Sequence, residues 1–216
     1  MNRPYVVINC AMSADGKIAL PSRKQVRISC EADMKRVHQL RNSCDAILVG
    51  IGTVLSDDPK LTVKEKYLDG ASAKKPLRIV LDSNCRIPNG ALVLNGDAPT
   101  IVFCADGKKR AIDGPEVVEC GDGKVDLAKM LGGLAKRGVK RLMVEGGENV
   151  IGSFLRSGLF DEFSIYVGSM IIGGEGPTPA GGEGAKSEQD IIKLKLESCE
   201  RLGDGILLKY SPGKRI

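Results

Sequence analysis

The chain has 216 residues, of which 42% are apolar and 27% charged, values ordinary for a globular protein with room for one large domain or two small ones. Its net charge of +5 comes from 32 Lys and Arg scattered among 27 acids, and aromatics make up only 4% with no Trp. Without a basic stripe or base-stacking platforms a nucleic-acid partner is excluded, and a mild preference for anionic ligands remains.

The first strand is expected over residues 5–11, apolar on both faces as a central strand is. It leads into Ser13-Ala14-Asp15-Gly16-Lys17, where Asp-Gly predicts a hairpin turn. A helix follows Ser29, a good N-cap, with Glu31 and Asp33 in its first turn, Met34, Val37 and Leu40 as its apolar stripe, and an end near Ser43. His38 is the only histidine and sits one residue off that stripe, where a structural or surface role is more common than general-base work. Further strands are expected over residues 46–49, 77–81, 100–104, 116–120, 141–145, 162–167, 191–197 and 205–210. Two more helices interrupt them. One starts near Asp126 with Leu127, Met130, Leu131 and Leu134 on one face, and its Gly132-Gly133 pair points to close packing. The other opens at Glu148-Asn149, buries Ile151, Phe154 and Leu155, and stops at Gly158. Helices alternate with strands for two thirds of the chain and the rest is strand only, which predicts an α/β sheet finished by an antiparallel segment. The Gly-rich stretch 173–186 is expected to be a lid, a partner contact or disorder.

The seven cysteines are odd in number and none stands at Cys-x-x-Cys spacing, so neither a disulfide framework nor a zinc site is expected. Most lie in apolar runs, which fits a reducing cytoplasm. The amino terminus lacks the charged and apolar regions of a signal peptide, and no apolar run is long enough to span a membrane.

Four segments carry polar groups at the ends of buried strands, where open α/β sheets bind ligands. Gly50-Ile51-Gly52-Thr53 runs into Ser56-Asp57-Asp58-Pro59, with two glycines that let backbone approach a ligand and a hydroxyl and carboxylates for directional contacts. Glu145-Gly146-Gly147-Glu148-Asn149 is a strand-to-helix turn whose N–H groups suit a phosphate, or equally a tight structural turn; Glu148 is an unwelcome charge there. Asp82-Ser83-Asn84-Cys85-Arg86 offers chemistry for a ribose or a 2′-phosphate, or a turn held by its own Asp and Ser. The fourth is the Asp15-Gly16 turn. With one histidine and no cysteine pair, no metal is expected.

Read in order, these motifs resemble the reductase family of riboflavin biosynthesis, whose fold is like that of dihydrofolate reductase. The block 50–62 (Gly-Ile-Gly-Thr-Val-Leu-Ser-Asp-Asp-Pro-Lys-Leu-Thr) is its most specific part, flanked by Ala-Met-Ser-Ala-Asp-Gly-Lys-Ile-Ala, Val-His-Gln-Leu-Arg, Pro-Leu-Arg-Ile-Val-Leu-Asp-Ser and Glu-Gly-Gly. The likeness covers nearly the whole chain and implies a single reductase domain over 1–216, with a mostly parallel sheet, an antiparallel C-terminal segment and helices on both faces. It is greater to the stand-alone archaeal and fungal type than to the bacterial type: the chain starts at the reductase's first strand, with no zinc deaminase domain before it, and bacterial relatives carry lysine where Asn9 stands.

The resemblance further implies an NADPH-dependent reduction, with NADH also accepted in some relatives, of the ribosyl side chain of a phosphorylated ribosylaminopyrimidine. Ala11, Thr53 and Asp57 match positions that contact the cofactor; Ser83 matches its adenosine end, and Gly146, Gly147, Glu148 and Asn149 match its phosphate turn. Arg41, Leu61 and Lys64 match substrate positions, Arg27 and Gln25 lie near the substrate loop, and Glu145 stands where the family has an acid near the substrate. For the proton that accompanies the hydride, Glu145, a water and the substrate's own groups are the candidates. The alternatives are the bacterial-type reaction on an already deaminated pyrimidine and a nucleotide-binding module without turnover. A homodimer is expected as well, with Ile165, Val167, Met170, Ile171 and Ile172 at the contact.

Overall fold

The computed structural model of the protein describes residues 2–213. In chain order its elements are β1 (Tyr5–Ser13), α1 (Glu31–Ser43), β2 (Ala46–Gly50), α2 (Ile51–Asp57), β3 (Leu77–Leu81), β4 (Thr100–Cys104), β5 (Glu116–Glu119), α3 (Leu127–Lys136), β6 (Arg141–Val144), α4 (Glu148–Ser157), β7 (Glu162–Gly168), β8 (Leu194–Leu202) and β9 (Gly205–Pro212). The chain divides into two compact units: one runs up to Tyr5 and resumes over Lys35–Val144, and the other takes Val6–Met34 and everything from Glu145 on.

The first unit has five strands in the order β5-β4-β3-β2-β6, and every pair is parallel. β2 and β4 are buried at all five positions, which is why their sequences are apolar on both faces. Ile47, Val49, Val80, Val102 and Cys104 pack together with Ile51, Val54 and Leu61 in one core. Ile51 and Val54 belong to α2, a helix that local sequence does not announce. Gly52 and the β-branched Ile51, Thr53 and Val54 are all weak helix formers, so burial of its inner face is what holds this short helix together.

α1 opens at Glu31, two residues after Ser29, and the Ser29 hydroxyl donates to Asp33 Oδ2 at 2.5 Å. Its expected apolar stripe is only half-buried, whereas His38 is 1% exposed. The helix uses a polar face instead. Lys35 and Gln39 reach Asp69, and Asn42 exchanges hydrogen bonds with Ser72 and Lys74, tying the segment 62–74 to the helix.

In α3 the Asp126 carboxylate caps the helix by accepting the Lys129 N–H at 2.9 Å, and Met130, Leu131 and Leu134 are buried as their spacing predicts. The expected close packing at Gly132-Gly133 is absent. A Cβ at Gly132 would meet nothing within 4 Å, and one at Gly133 would touch only the end of Arg137. Gly132→Ala is therefore expected to stabilise the protein by about 0.5–1 kcal/mol through helix propensity alone, read as a raised urea midpoint at unchanged slope.

The second unit has four strands in the order β1-β7-β9-β8; β1 and β7 are parallel, and β7–β9 and β9–β8 antiparallel. The strand expected from 191 begins later, at Leu194. Ser187 and Asp190 form a reciprocal cap around a single 3-10 turn at Glu188–Asp190, which delays it. α4 starts after Gly147 and buries Ile151, Phe154 and Leu155, and Gly158 ends it at φ 68° in the left-handed region.

The Gly-rich stretch 173–186 has no regular element, yet its backbone is fastened. The Ile18 N–H donates to the Pro177 carbonyl at 2.9 Å, the Gly181 N–H to Glu148 O at 3.1 Å, and Arg156 Nη1 to Gly181 O at 2.9 Å. A Cβ on Gly152 of α4 would collide with the Gly181 carbonyl, so glycine is what lets the stretch lie against the helix.

Candidate functional site

The first unit carries the Gly50–Thr62 block. Gly50 precedes α2 with extended backbone, Gly52 is exposed with open space where a Cβ would stand, and Thr53 is half-buried beside it. The two carboxylates after Ser56 differ in use. Asp58 closes α2 in the left-handed conformation (φ 42°, ψ 58°) and its Oδ1 accepts the Leu92 N–H at 2.7 Å, a structural bond. Asp57 is half-buried; burial pushes its carboxyl up from the usual aspartate range, offset in part by the Ser56 hydroxyl. Leu61 also has left-handed backbone at φ 50°, and its side chain is 3% exposed in the core beneath α2.

Arg41 Nη1 donates to the Thr62 carbonyl at 2.9 Å, and the Lys64 N–H donates to His38 Nδ1 at 3.2 Å. Two side chains of α1 thus fix the backbone of the segment that bears the exposed Lys64 side chain.

At the end of β3, Asp82 is fully buried and its Oδ2 accepts the Ile87 N–H at 2.7 Å, while Arg86 stands 3.8 Å from Oδ1 and remains largely exposed. Asp82 is the structural residue of this turn. Ser83 Oγ accepts the Val125 N–H at 3.2 Å and keeps its own proton to donate.

In the second unit, Ala11 is half-buried near the end of β1, and the turn beyond it closes through Ser13 N–H to Lys17 O (2.8 Å) and Gly16 N–H to Ser13 O (2.9 Å). The sequence marked a turn here but neither its kind nor its purpose: α1 is the next regular element, so the turn is not the hairpin expected. The Asp15 carboxylate accepts the Ser13 hydroxyl at 2.5 Å and the N–H groups of Ile172 and Gly173 at 3.1 and 2.7 Å, anchoring the start of the Gly-rich stretch. These bonds hold its carboxyl down at about 2, the Ser13 hydroxyl contributing most. A carboxyl depressed in the folded state stabilises it above the unfolded value near 3.8 and ceases to as pH falls through the folded one. Acid unfolding of wild type should therefore steepen between about pH 4 and about pH 2, and Asp15→Asn should flatten that limb when urea midpoints are compared across the window.

Gly146 has φ 125°, which only glycine tolerates well, and the Gly146–Gly147 peptide is cis. Gly147 provides no side-chain cap, so the first-turn N–H groups of α4 receive none. The Glu148 charge that looked unwelcome is met by Arg23 at 2.7 Å, a partner 125 residues away that spacing could not reveal. Glu145 is half-buried, and Asn149 is exposed. Arg27 is exposed and pairs with Glu31 at 2.9 Å.

Among the described residues no group of three or more His, Cys, Asp or Glu is placed to hold a metal, and no helix is long and apolar enough to cross a membrane. The cysteines are free thiols; burial, the largest of several causes, pushes Cys104 up to about 11, as expected of an inert small hydrophobe.

Residues 4–208 match the family model described as the RibD C-terminal domain. The chain is 45% identical over 214 residues to the 2,5-diamino-6-ribosylamino-4(3H)-pyrimidinone 5′-phosphate reductase of Archaeoglobus fulgidus, covering 94% of this chain and 95% of that one. Among solved structures, the diaminohydroxyphosphoribosylaminopyrimidine deaminase/5-amino-6-(5-phosphoribosylamino)uracil reductase of Thermotoga maritima superimposes with a TM-score of 0.82 at 27% identity, over 98% of this chain and 57% of that one. A dihydrofolate reductase of Enterococcus faecalis, complexed with NADP(H), gives 0.51 at 10% identity over 97% of both chains, a likeness of fold alone.

Proposed function

Because the chain belongs to the RibD C-terminal domain family, we propose that it reduces the ribosyl side chain of 2,5-diamino-6-ribosylamino-4(3H)-pyrimidinone 5′-phosphate to the ribitylamino product in riboflavin biosynthesis, with NADPH as reductant. The observation that carries the substrate choice is the 45% identity to the archaeal reductase over nearly the full length of both chains. Identity to the riboflavin biosynthesis protein RibD of Bacillus amyloliquefaciens is 36% over 217 residues.

NADPH when bound supplies the hydride. Ala11, Thr53, Asp57, Ser83, Gly146, Gly147, Glu148 and Asn149 are proposed to hold it. Their chemistry fits such a group: the uncapped start of α4 with Glu148 neutralised by Arg23 suits a phosphate, and the open space at Gly52 admits a ligand close to backbone. Asp82 is engaged and buried, so no carboxylate of that turn is available to favour a 2′-hydroxyl, while exposed Arg86 and Ser83 suit a 2′-phosphate.

The substrate residues hold and orient. Lys64 takes the 5′-phosphate, supported by Arg41, which holds the Thr62 carbonyl of the same segment. Leu61 contributes through its backbone, since its side chain is buried. Arg27 is assigned to the substrate's approach, and Glu145 to the proton that the nitrogen gains as the ring-opened C1′ is reduced. Most of the rate then comes from orientation.

A homodimer belongs to the same reading. Of the apolar residues that lead to the Gly-rich stretch, Ile165 completes the core, whereas Ile171 is 72% exposed. Leu196 and Ile206 are exposed on β8 and β9, apolar surface that a second copy would cover. Light scattering should give twice the 23.0 kDa chain mass.

The deciding experiment gives purified protein either the diaminopyrimidinone or its deaminated counterpart, with NADPH or NADH. The highest kcat/KM is expected for the diaminopyrimidinone with NADPH. Preference for the deaminated pyrimidine would favour the bacterial order, and absence of turnover with both would favour a binding module.

A further inference from the structure

We propose that His38 is a positioning residue for the substrate: its neutral imidazole fixes the backbone of Lys64 and so aims the ammonium at the 5′-phosphate. This rests on the substrate role of Lys64 given above.

Three contacts form a closed ring. The Lys64 N–H donates to His38 Nδ1 at 3.2 Å, so Nδ1 carries no proton and Nε2 carries it. The Tyr67 N–H donates to the Lys64 carbonyl at 3.1 Å. The Tyr67 ring stacks on the imidazole with centroids 4.8 Å apart and planes inclined by 9°. Lys64 is therefore held at its N–H by the His38 side chain and at its C=O by the backbone N–H of Tyr67, the two residues of one stacked pair, while Arg41, three residues on from His38, holds the Thr62 carbonyl. Lys66 covers the Tyr67 ring at 4.6 Å and helps close the stack.

The consequence is for Lys64's stem. A lysine reaches its target through four flexible methylenes, and ordering them opposes binding. Fixing the Cα and the backbone direction removes part of that cost before the ligand arrives. The site requires an acceptor at the δ position and a flat face for Tyr67, and histidine provides both. An exposure of only 1% for a polar ring is thereby accounted for without any contact between His38 and the reacting atoms.

The two functions can be separated. His38→Phe keeps the stack and loses the acceptor; His38→Asn keeps an acceptor at the δ position and loses the stack; His38→Gln moves the acceptor one bond further out. Steady-state kinetics should show substrate KM raised about tenfold in His38→Phe, the worth of one buried hydrogen bond, with kcat and the NADPH KM within about twofold. His38→Asn should restore the substrate KM to within about threefold of wild type, and His38→Gln should not. Adding His38→Phe to Lys64→Ala should raise KM no further, because the aimed group is gone. Full additivity, a parallel rise in the NADPH KM, or equal KM values for the Asn and Gln variants would overturn the proposal; the Asn and Gln pair decides it even if His38→Phe fails to fold. If Lys64→Ala raises the substrate KM and His38→Phe does not, the positioning role alone is wrong. If Lys64→Ala changes nothing, the substrate role of Lys64 falls and this role falls with it.

Discussion

Arg78→Lys should destabilise the protein by about 2–4 kcal/mol, a large loss for a substitution that conserves charge. Arg78 is fully buried in β3. Its Nε donates to Thr100 Oγ1 at 2.9 Å, and Nη1 donates to Asn95 Oδ1 at 2.7 Å and, more weakly, to Lys60 O at 3.4 Å; Nη2 serves the carbonyls of Asn95 and Ala98. Burial presses its pKa down, so the bonds must compensate for lost hydration. An ammonium cannot reproduce that planar fork, and the carbonyls of the part-buried Asn95 and Ala98 would lose their donor. Urea unfolding is the test; a loss under about 1 kcal/mol would mean that the segments around Lys60 and Asn95 are held by other contacts.

Lys64→Ala should raise the substrate KM by about 10- to 100-fold while leaving kcat and the NADPH KM near wild type. The Lys64 side chain is exposed, and its backbone is held by His38 and Tyr67. A phosphate contact remote from C1′ is made equally in ground and transition states, so its loss appears in KM. A rise confined to the NADPH KM would move Lys64 to the cofactor, and no change in either would remove it from the site.

Much of the architecture can be read from the sequence. Runs such as Ala46-Ile47-Leu48-Val49 are too apolar and too short for anything but buried strands, and Asp126 and Gly158 mark helix ends by capping chemistry that acts within a few residues. What escapes is what depends on distant partners. α2 forms because Ile51 and Val54 find the core, against the preferences of their own residues. The Glu148 charge at the start of α4 has no partner nearby in sequence, Arg23 arriving from another loop, and Asp15 looks like a simple turn residue until Ile172 and Gly173 are brought to it. The chain passes between its two compact units three times, and the crossings inside β1 and inside α1 fall within regular elements, where no linker composition marks them; the third falls between Val144 and Glu145.

Gly146 is legible because a φ of 125° calls for glycine, whose freedom leaves a mark in sequence. The roles of the polar residues are not. Asp57 and Asp58 are identical in type and adjacent, yet Asp58 is committed to the Leu92 N–H and Asp57 is not. Likewise Asp82 and Ser83 read alike as turn residues, but only Asp82 is wholly enclosed. His38 was the least legible of all, since a single helical histidine carries no spacing signal, and its meaning lies in Lys64 and Tyr67 across a loop.

The central claim is that this chain reduces a ribosylaminopyrimidine phosphate, and mass analysis of the product tests it most directly. Purified protein incubated with 2,5-diamino-6-ribosylamino-4(3H)-pyrimidinone 5′-phosphate and NADPH should yield a compound two hydrogens heavier than the substrate, one molecule for each NADPH consumed. Unchanged substrate after stoichiometric exposure to active, folded protein, or NADPH loss without the heavier product, would contradict the account.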